Sequence, residues 1–324
     1  SWAAQGRGWI VLEEFRLGSI DAQGPELFGR IQYLEVDAAG RIWVFDGQDS
    51  EIRVFDRSGD FVRSIGGKGG GPGEFSQAAG LAWAPDGRLW VPDPGTNRVS
   101  VFDTTGTLSA SRYTDFRFQY CPWAGTIDQE GFCYREVRTA PFPSPEFGLA
   151  RYDSALNLVD TVPGPTHPEG PQVWTRQEES GGTVITIPFS GRVVWKLNRD
   201  GGIWYTLTDE YRMVRLGRNS DTLRVVEKAY DPIPVTGTDL DSVMAGLAHF
   251  GDTPKRSDVP STKPPIIDFV VDDGGNLWVF VLAEGLEDGR KVEVFDGEGV
   301  YLGDLILPFR PRLHPDPLIR GNTF

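Results

Sequence analysis

A 47-residue period is the feature that most limits what this chain can fold into. The run Gly40-Arg41-Ile42-Trp43-Val44-Phe45-Asp46 aligns with Gly87-Arg88-Leu89-Trp90-Val91-Pro92-Asp93, and Val54-Phe55-Asp56 aligns with Val101-Phe102-Asp103. Gly59 and Gly106 keep the same separation. Each unit holds four short apolar runs divided by glycine-bearing turns, such as Ser58-Gly59 and Asp86-Gly87, where glycine tolerates the positive φ of a tight hairpin. A fixed period of this size with four strand-like runs per unit is the signature of a propeller blade. The expected fold is all-β: a β-propeller of four-stranded antiparallel blades.

Composition agrees and removes several function classes. Forty glycines and 24 prolines suit a turn-rich β chain, and 39% hydrophobic residues suffice for a packed core. A formal charge of −14 argues against nucleic acid, whose phosphates need clustered Lys and Arg. No run of 18 apolar residues marks a membrane span. The chain starts at Ser1 without Met, which reads as a processed or trimmed N-terminus. Cys121 and Cys133 flank an expected hairpin and could face one another across it, so a disulfide is expected, with two buried thiols as the alternative. A bridge would favour an extracytoplasmic compartment, periplasmic or secreted.

Taken in order, the chain offers a lone strand at about 8–18, then blades at about 31–65, 80–113, 125–162, 184–227 and 266–306. The run Val184–Pro188 reads as an irregular approach to the fourth blade. Between the fourth and fifth lies Asp239–Phe250, expected as a short helix capped by Asp239, with Leu240, Val243, Met244 and Leu247 on one face. Residues 308–324 supply about one strand more. Six blades is the expected closure, with the N-terminal strand completing a sixth blade that looks incomplete in this sequence.

The stretch Gly69-Gly70-Gly71-Pro72-Gly73-Glu74-Phe75, the Asp86-Gly87 turn, and Val91-Pro92-Asp93-Pro94-Gly95-Thr96-Asn97-Arg98-Val99 with Val101-Phe102-Asp103 resemble the NHL repeat family. The whole chain is similar to bacterial six-bladed propellers of that type, including Pro264-Pro265-Ile266 before a late blade. The resemblance implies an extracytoplasmic propeller often used to bind a partner. Enzymatic relatives, such as peptidyl-hydroxyglycine lyases and calcium-dependent lactonases, place metal ligands around the central channel.

The motifs offer little catalysis. Lys68 in the glycine-rich loop is followed by Gly69 and then a strand, whereas a phosphate-binding loop needs Gly-Lys followed by Ser or Thr and a helix. His167, His249 and His314 lie far apart, so neither a zinc site nor a Ser-His-Asp arrangement is indicated. The pairs Glu13-Glu14, Glu178-Glu179 and Asp272-Asp273 read as solvated surface, since strand neighbours point to opposite faces. Trp43, Trp90, Trp204 and Trp278 take equivalent strand positions and read as inter-blade core, while Trp2, Trp123 and Trp174 read as exposed anchors for a partner. The candidate binding set is acidic: Asp46 and Asp93 at the ends of second strands, Glu136, Asp209 and Glu284 after the same strand elsewhere, with Asn97, Arg98 and Trp123 nearby. Converging on one channel mouth, they would bind a cation or a basic peptide. The competing reading is that these carboxylates cap turns through backbone amides. The expected function is a non-catalytic docking subunit of an envelope or membrane-associated complex, with protein partners and no cofactor. The alternative is a calcium-dependent hydrolase or lyase.

Overall fold

Among the described residues, five four-stranded antiparallel sheets follow one another along the chain, each in the order of its strands. The computed structural model describes residues 9–114, 126–140, 146–170, 172–178, 181–286, 289–313, 315–321 and 323. Blade one holds β1 (Ile31–Val36), β2 (Ile42–Asp46), β3 (Glu51–Phe55) and β4 (Phe61–Gly66). Blade two holds β5 (Ala82–Trp83), β6 (Leu89–Asp93), β7 (Arg98–Phe102) and β8 (Leu108–Tyr113). Blade three holds β9 (Thr126–Ile127), β10 (Cys133–Arg138), β11 (Phe147–Tyr152) and β12 (Leu158–Pro163). A separate hairpin, β13 (Val173–Glu178) and β14 (Gly181–Thr186), precedes blade four. That blade is β15 (Val193–Leu197), β16 (Ile203–Leu207), β17 (Arg212–Leu216) and β18 (Thr222–Glu227). Helix α1 (Gly237–Gly246) then leads to blade five: β19 (Ile266–Val271), β20 (Leu277–Val281), β21 (Arg290–Phe295) and β22 (Tyr301–Leu307).

The core lies between blades rather than within them. A sheet with two apolar faces must bury both, and neighbouring blades do this for each other. Trp43, Phe45, Leu89 and Phe102 join blades one and two. Trp90, Val101, Cys133 and Tyr152 join two and three. Tyr134, Leu149 and Ile203 join three and four, and Trp204, Met213, Phe269 and Phe295 join four and five. Trp43, Trp90 and Trp204 are thus inter-blade core as expected, whereas Trp278 is half-buried against the core of blade five and Trp9. The fourth strands alternate toward solvent and form the rim, while β15 packs beside β19, and β5 beside β9, toward the centre.

No such cluster joins blade five directly to blade one among the described residues. Blade five instead packs against the chain's two ends: Ile319 is buried in its core, with Trp9 and Val11 against it. Phe15 and Leu17 reach across to Gly59 of blade one, and Arg320 pairs with Glu35 on β1. The expected sixth-blade segments therefore occupy the gap as an outer and an inner staple. Among the described residues they form no four-stranded ladder, only a bridge between Arg320 and Thr323, because an outer and an inner segment lack strands between them to pair with.

Three local expectations are corrected. Val184–Thr186 pairs with Val173–Thr175 in the separate hairpin rather than leading directly into blade four. Helix α1 is capped by Thr236, with Asp239 at the third position of a capping box: the Asp239 amide donates to the Thr236 hydroxyl, and the Asp239 carboxylate accepts from the Thr236 amide. Cys133 is a free thiol, 1% exposed, and burial together with the nearby Asp128 carboxylate pushes it up to about 12. The expected disulfide is not formed at Cys133, and Cys121 lies outside the described residues. The apolar inter-blade environment that buries Cys133 suits a neutral thiol.

A recurring acidic turn fixes most of the hairpins on one side of the disc. Asp37, Asp128 and Asp272 each accept amides from two and four residues ahead, with a glycine in the left-handed region between. The second oxygen takes a ring donor from the next strand: the Trp43 indole, the Tyr134 hydroxyl and the Trp278 indole. Asp272 is thus buried structure, not solvated surface. Ala84 holds this position in blade two and Asn198 in blade four, and there the Trp90 and Trp204 indole nitrogens are buried without partners. Asp56, Asp103, Asp153 and Asp296 repeat the device at the outer hairpins. Removing an acceptor from a buried donor costs about 1–3 kcal/mol. Asp272→Ala should therefore lower unfolding free energy by about that much, and Asp296→Ala, whose turn is exposed, by less. Urea denaturation of both variants checks this; equal losses would refute the role of the Trp278 indole.

Candidate functional site

Antiparallel pairing sorts the connections onto two faces. Turns between first and second strands, and between third and fourth, share one face; they are short and carry the acidic turns described above. Turns between second and third strands share the other face with the connections from blade to blade. That second face carries the glycine-rich loop, the β13–β14 hairpin and α1. Every long excursion of the described chain between blades lies there.

The acidic residues proposed for this face divide by role. Asp46 is fully buried and accepts the amides of Gly29 at 2.7 Å, Arg30 at 3.0 Å and Gln48 at 2.9 Å, with Arg53 at 3.6 Å. Burial alone would raise its pKa, but those amides and Arg53 together hold it below the usual carboxylate range. Asp93 repeats the arrangement, taking the amides of Ser76 at 2.6 Å, Gln77 at 3.0 Å and Thr96 at 3.2 Å. Each carboxylate clasps the segment that enters its own blade. Both follow the capping reading, and neither faces an open mouth.

The clasp explains the glycine-rich loop. Phe75 is fully buried between Phe45 and Phe102. A side chain at Gly66, where φ is +86°, would strike the Phe75 ring at 2.2 Å. The loop folds tightly to insert that ring, with Gly69 donating to the Phe75 carbonyl and the Glu74 carboxylate accepting from Gly71. Forty-seven residues earlier, Gly24-Pro25-Glu26-Leu27-Phe28 makes a similar turn: the half-buried Phe28 packs at a tilt on Phe55 as Phe75 does on Phe102. Sequence reasoning missed this first copy, although Gly-Pro followed by Phe at the known period was its signal. In blade four the position is held by Thr208, whose hydroxyl accepts the Arg192 amide across the same 16 residues as the Arg30–Asp46 pair. Asp209, aligned there by sequence, is displaced by one residue and instead meets His167 Nε2 at 3.2 Å.

The remaining candidates stay apart. Glu136 accepts from the Trp195 indole between blades three and four, and burial raises its pKa despite that bond. Asn97 occupies a left-handed turn position at φ 52°. Arg98 donates to the Gly70 carbonyl and the Tyr113 hydroxyl, tying the glycine-rich loop to β8. Glu284 is exposed. Trp2 and Trp123 lie outside the described residues. Trp174 is a correction: it is 6% exposed, packed under the segment around α1, with its indole donating to Asp258. No hydrogen bond or ion pair joins any two of the ring candidates among the described residues, nor do three metal-ligating side chains gather there.

The centre of the disc holds a different charged set that the sequence did not disclose. Glu35 on β1 meets Arg320 at 3.2 Å, Lys196 on β15 meets Asp316 at 2.6 Å, and Lys196 lies 3.5 Å from Asp268 on β19. Residues 315–321 thus cross the middle, held by ion pairs to two innermost strands, β1 and β15, while Lys196 also links β15 to β19. Burial pushes Glu35 up to about 7 even beside Arg320, and raises Asp268 even beside Lys196.

With this geometry in view, comparison with known proteins places the chain by fold. A model of the DUF5128 family, described as a 6-bladed beta-propeller, matches residues 22–141. The chain is a β-propeller. Its fold is similar to that of a Bacteroides fragilis protein described as exported, at TM-score 0.51 and 15% identity, over 90% of this chain and 74% of that one. It is also similar to a DUF4221 family member from Bacteroides vulgatus (0.49, 12%, 86% and 82%) and to a streptogramin B lyase (0.40, 11%, 86% and 68%). At such identities the likeness is one of fold. No curated protein matches the chain.

Glu35 generates a pH prediction for this propeller. Its folded pKa lies above the ordinary glutamate value of 4.5, so the folded protein keeps a proton that the unfolded chain has released. The stability this contributes is full below about pH 4 and is lost as pH rises to about 7, on the order of 3 kcal/mol at most. Glu35→Gln should flatten the fall in melting temperature between pH 5 and pH 8. Glu136 and Asp268 shift the same way, so some slope persists. An unchanged slope in Glu35→Gln would exclude Glu35 as its source.

Proposed function

We propose that this chain is an NHL-type propeller acting as a non-catalytic docking module outside the cytoplasm, with a protein partner bound on its elaborated face. The observation that carries the reading is the platform built there. Trp174, Ile185 and Ile187 of the hairpin region form a small core with Leu247, Phe250 and Val259 from the excursion between blades four and five. Arg176 donates to the Phe250 carbonyl, and the excursion is closed at its neck by Val235 to Ser261 and Lys263 to Ile233. Two insertions that pack on each other give one rigid feature above an otherwise repetitive disc, and rigid pre-formed surfaces lose little entropy on binding.

The carboxylates that a channel metal would use are engaged elsewhere: Asp46 and Asp93 hold backbone amides, and Glu35, Asp268 and Asp316 pair with Arg320 and Lys196. The compartment is supported by the B. fragilis structure of similar fold, described as an exported protein. Among the described residues no helix is long and apolar enough to cross a membrane, so attachment to an envelope complex would run through protein contacts.

The test uses charge substitutions on the two faces. Ala245 and Ala248 are exposed on the platform, and Arg57 is exposed on the opposite face. Ala245→Arg with Ala248→Glu should reduce recovery of a stoichiometric partner at least tenfold in native co-purification, while Arg57→Glu leaves it unchanged. One equivalent of calcium in the purified protein, lost together with a hydrolase or lyase activity, would overturn the docking reading.

A further inference from the structure

We propose, on the docking reading above, that β14 is the edge where the partner is held. An extended, uncharged segment of the partner protein, flanked by basic residues, pairs with β14 as a third strand. β13 and β14 make a sheet of two strands, so each has one edge without a neighbouring strand. The Ile187 amide donates to the Gln172 carbonyl, and bonded pairs alternate along an antiparallel ladder. Trp174 with Ile185 and Arg176 with Thr183 are therefore the next bonded pairs, and the N–H and C=O groups of Gly182, Val184 and Thr186 point outward. Among the described residues none outside the hairpin bonds to those groups. All three residues are exposed, Val184 at 38%.

The blades treat their open edges differently. Each of the five outer strands pairs with its third strand through a shift of register, and each carries a charged residue: Arg63, Arg112, Asp160, Arg224 and Asp304. Bulges and charges keep an edge from taking on another strand. β14 has neither. Its sequence, Gly-Gly-Thr-Val-Ile-Thr, is uncharged and free of proline, and it pairs with β13 over six residues in unbroken register. The hairpin is also held in place, because Trp174, Ile185 and Ile187 pack with Leu247, Phe250 and Val259. An added strand meets a backbone that is already extended, and its main-chain hydrogen bonds supply the affinity.

Two observations choose the occupant. Two copies of this chain meeting along a six-residue edge make a small contact beside the roughly 1,200–2,000 Å² that stable interfaces bury. Each copy also carries a net charge of −14, so like charge opposes the pairing. A linear segment of another protein needs no second flat surface. Residues 171–190 and 231–263, the hairpin and the excursion, hold seven acidic and four basic residues, which favours basic flanks on the added strand.

The experiment follows the fluorescence anisotropy of a labelled peptide, Lys-Lys-Thr-Val-Thr-Val-Thr-Lys-Lys, as the full chain is titrated into it. Saturable binding is expected, with hydrogen exchange of the Gly182, Val184 and Thr186 amides slowed at least tenfold in the complex. The same peptide N-methylated at alternate residues keeps its side chains but loses donors, and should bind at least tenfold more weakly. A version with glutamates for lysines should weaken likewise. Val184→Pro removes one outward amide and Thr186→Lys places a charge on the edge; each should weaken binding at least tenfold while melting close to the parent. If Val184→Pro folds poorly, Thr186→Lys decides. Absence of saturable binding by the parent overturns the proposal, as does binding that the N-methylated peptide and Thr186→Lys both retain. A parent dimer in sedimentation that Thr186→Lys abolishes also overturns it, in favour of a second copy. A native partner lost with Ala245→Arg and Ala248→Glu but kept by Thr186→Lys overturns the edge and leaves the docking reading standing.

Discussion

A buried carboxylate that takes two amides from the incoming chain is the interaction on which the ring depends. Asp46 and Asp93 each tie the end of a second strand to the segment entering the same blade. Without that tie, Phe28 and Phe75 would not be held against their aromatic partners, and the core between blades one and two that Phe75 completes would open. The charge is retained in a buried place because amide donors and, at Asp46, a nearby arginine replace the lost water. Thr208 does the same work in blade four without a charge.

The same chemistry divides the molecule into a conservative face and an inventive one. On one side, short acidic turns lock the hairpins through amides and, in three blades, an aromatic donor. On the other, the connections are long because nothing in the hairpin geometry limits them, and the hairpin and helix grow from there. Loops on a rigid scaffold are where binding tends to reside. The central ion pairs add a further constraint: residues 315–321 span the position where a sixth blade would present its inner strand, and they are fixed there by Glu35 of β1 and Lys196 of β15, the latter also near Asp268 of β19.

Much of the blade pattern was legible because it is local. Gly40 and Gly87 mark turns by their backbone freedom, and Trp43 and Trp90 mark a repeated core position, each at a fixed distance along the chain. The site was much less legible. Asp46 and Asp93 were placed correctly at strand ends, yet their partners lie 16 and 17 residues upstream, beyond any turn-sized window. Asp209 was aligned where Thr208 belongs, because a hydroxyl and a carboxylate can fill the same acceptor role. Trp174 gave no sign of burial, since the residues that cover it come from an excursion some 75 residues later.

The sequence by itself determined an all-β propeller, its period, its turn chemistry and the residues of its inter-blade cores, since each follows from short-range spacing. Only the tertiary structure decided what the carboxylates do, because a side chain's role depends on which distant amides and guanidinium groups reach it. Hence Asp46 and Asp93 became clasps rather than ligands, Cys133 a buried free thiol, and Glu35 a buried acid paired with Arg320.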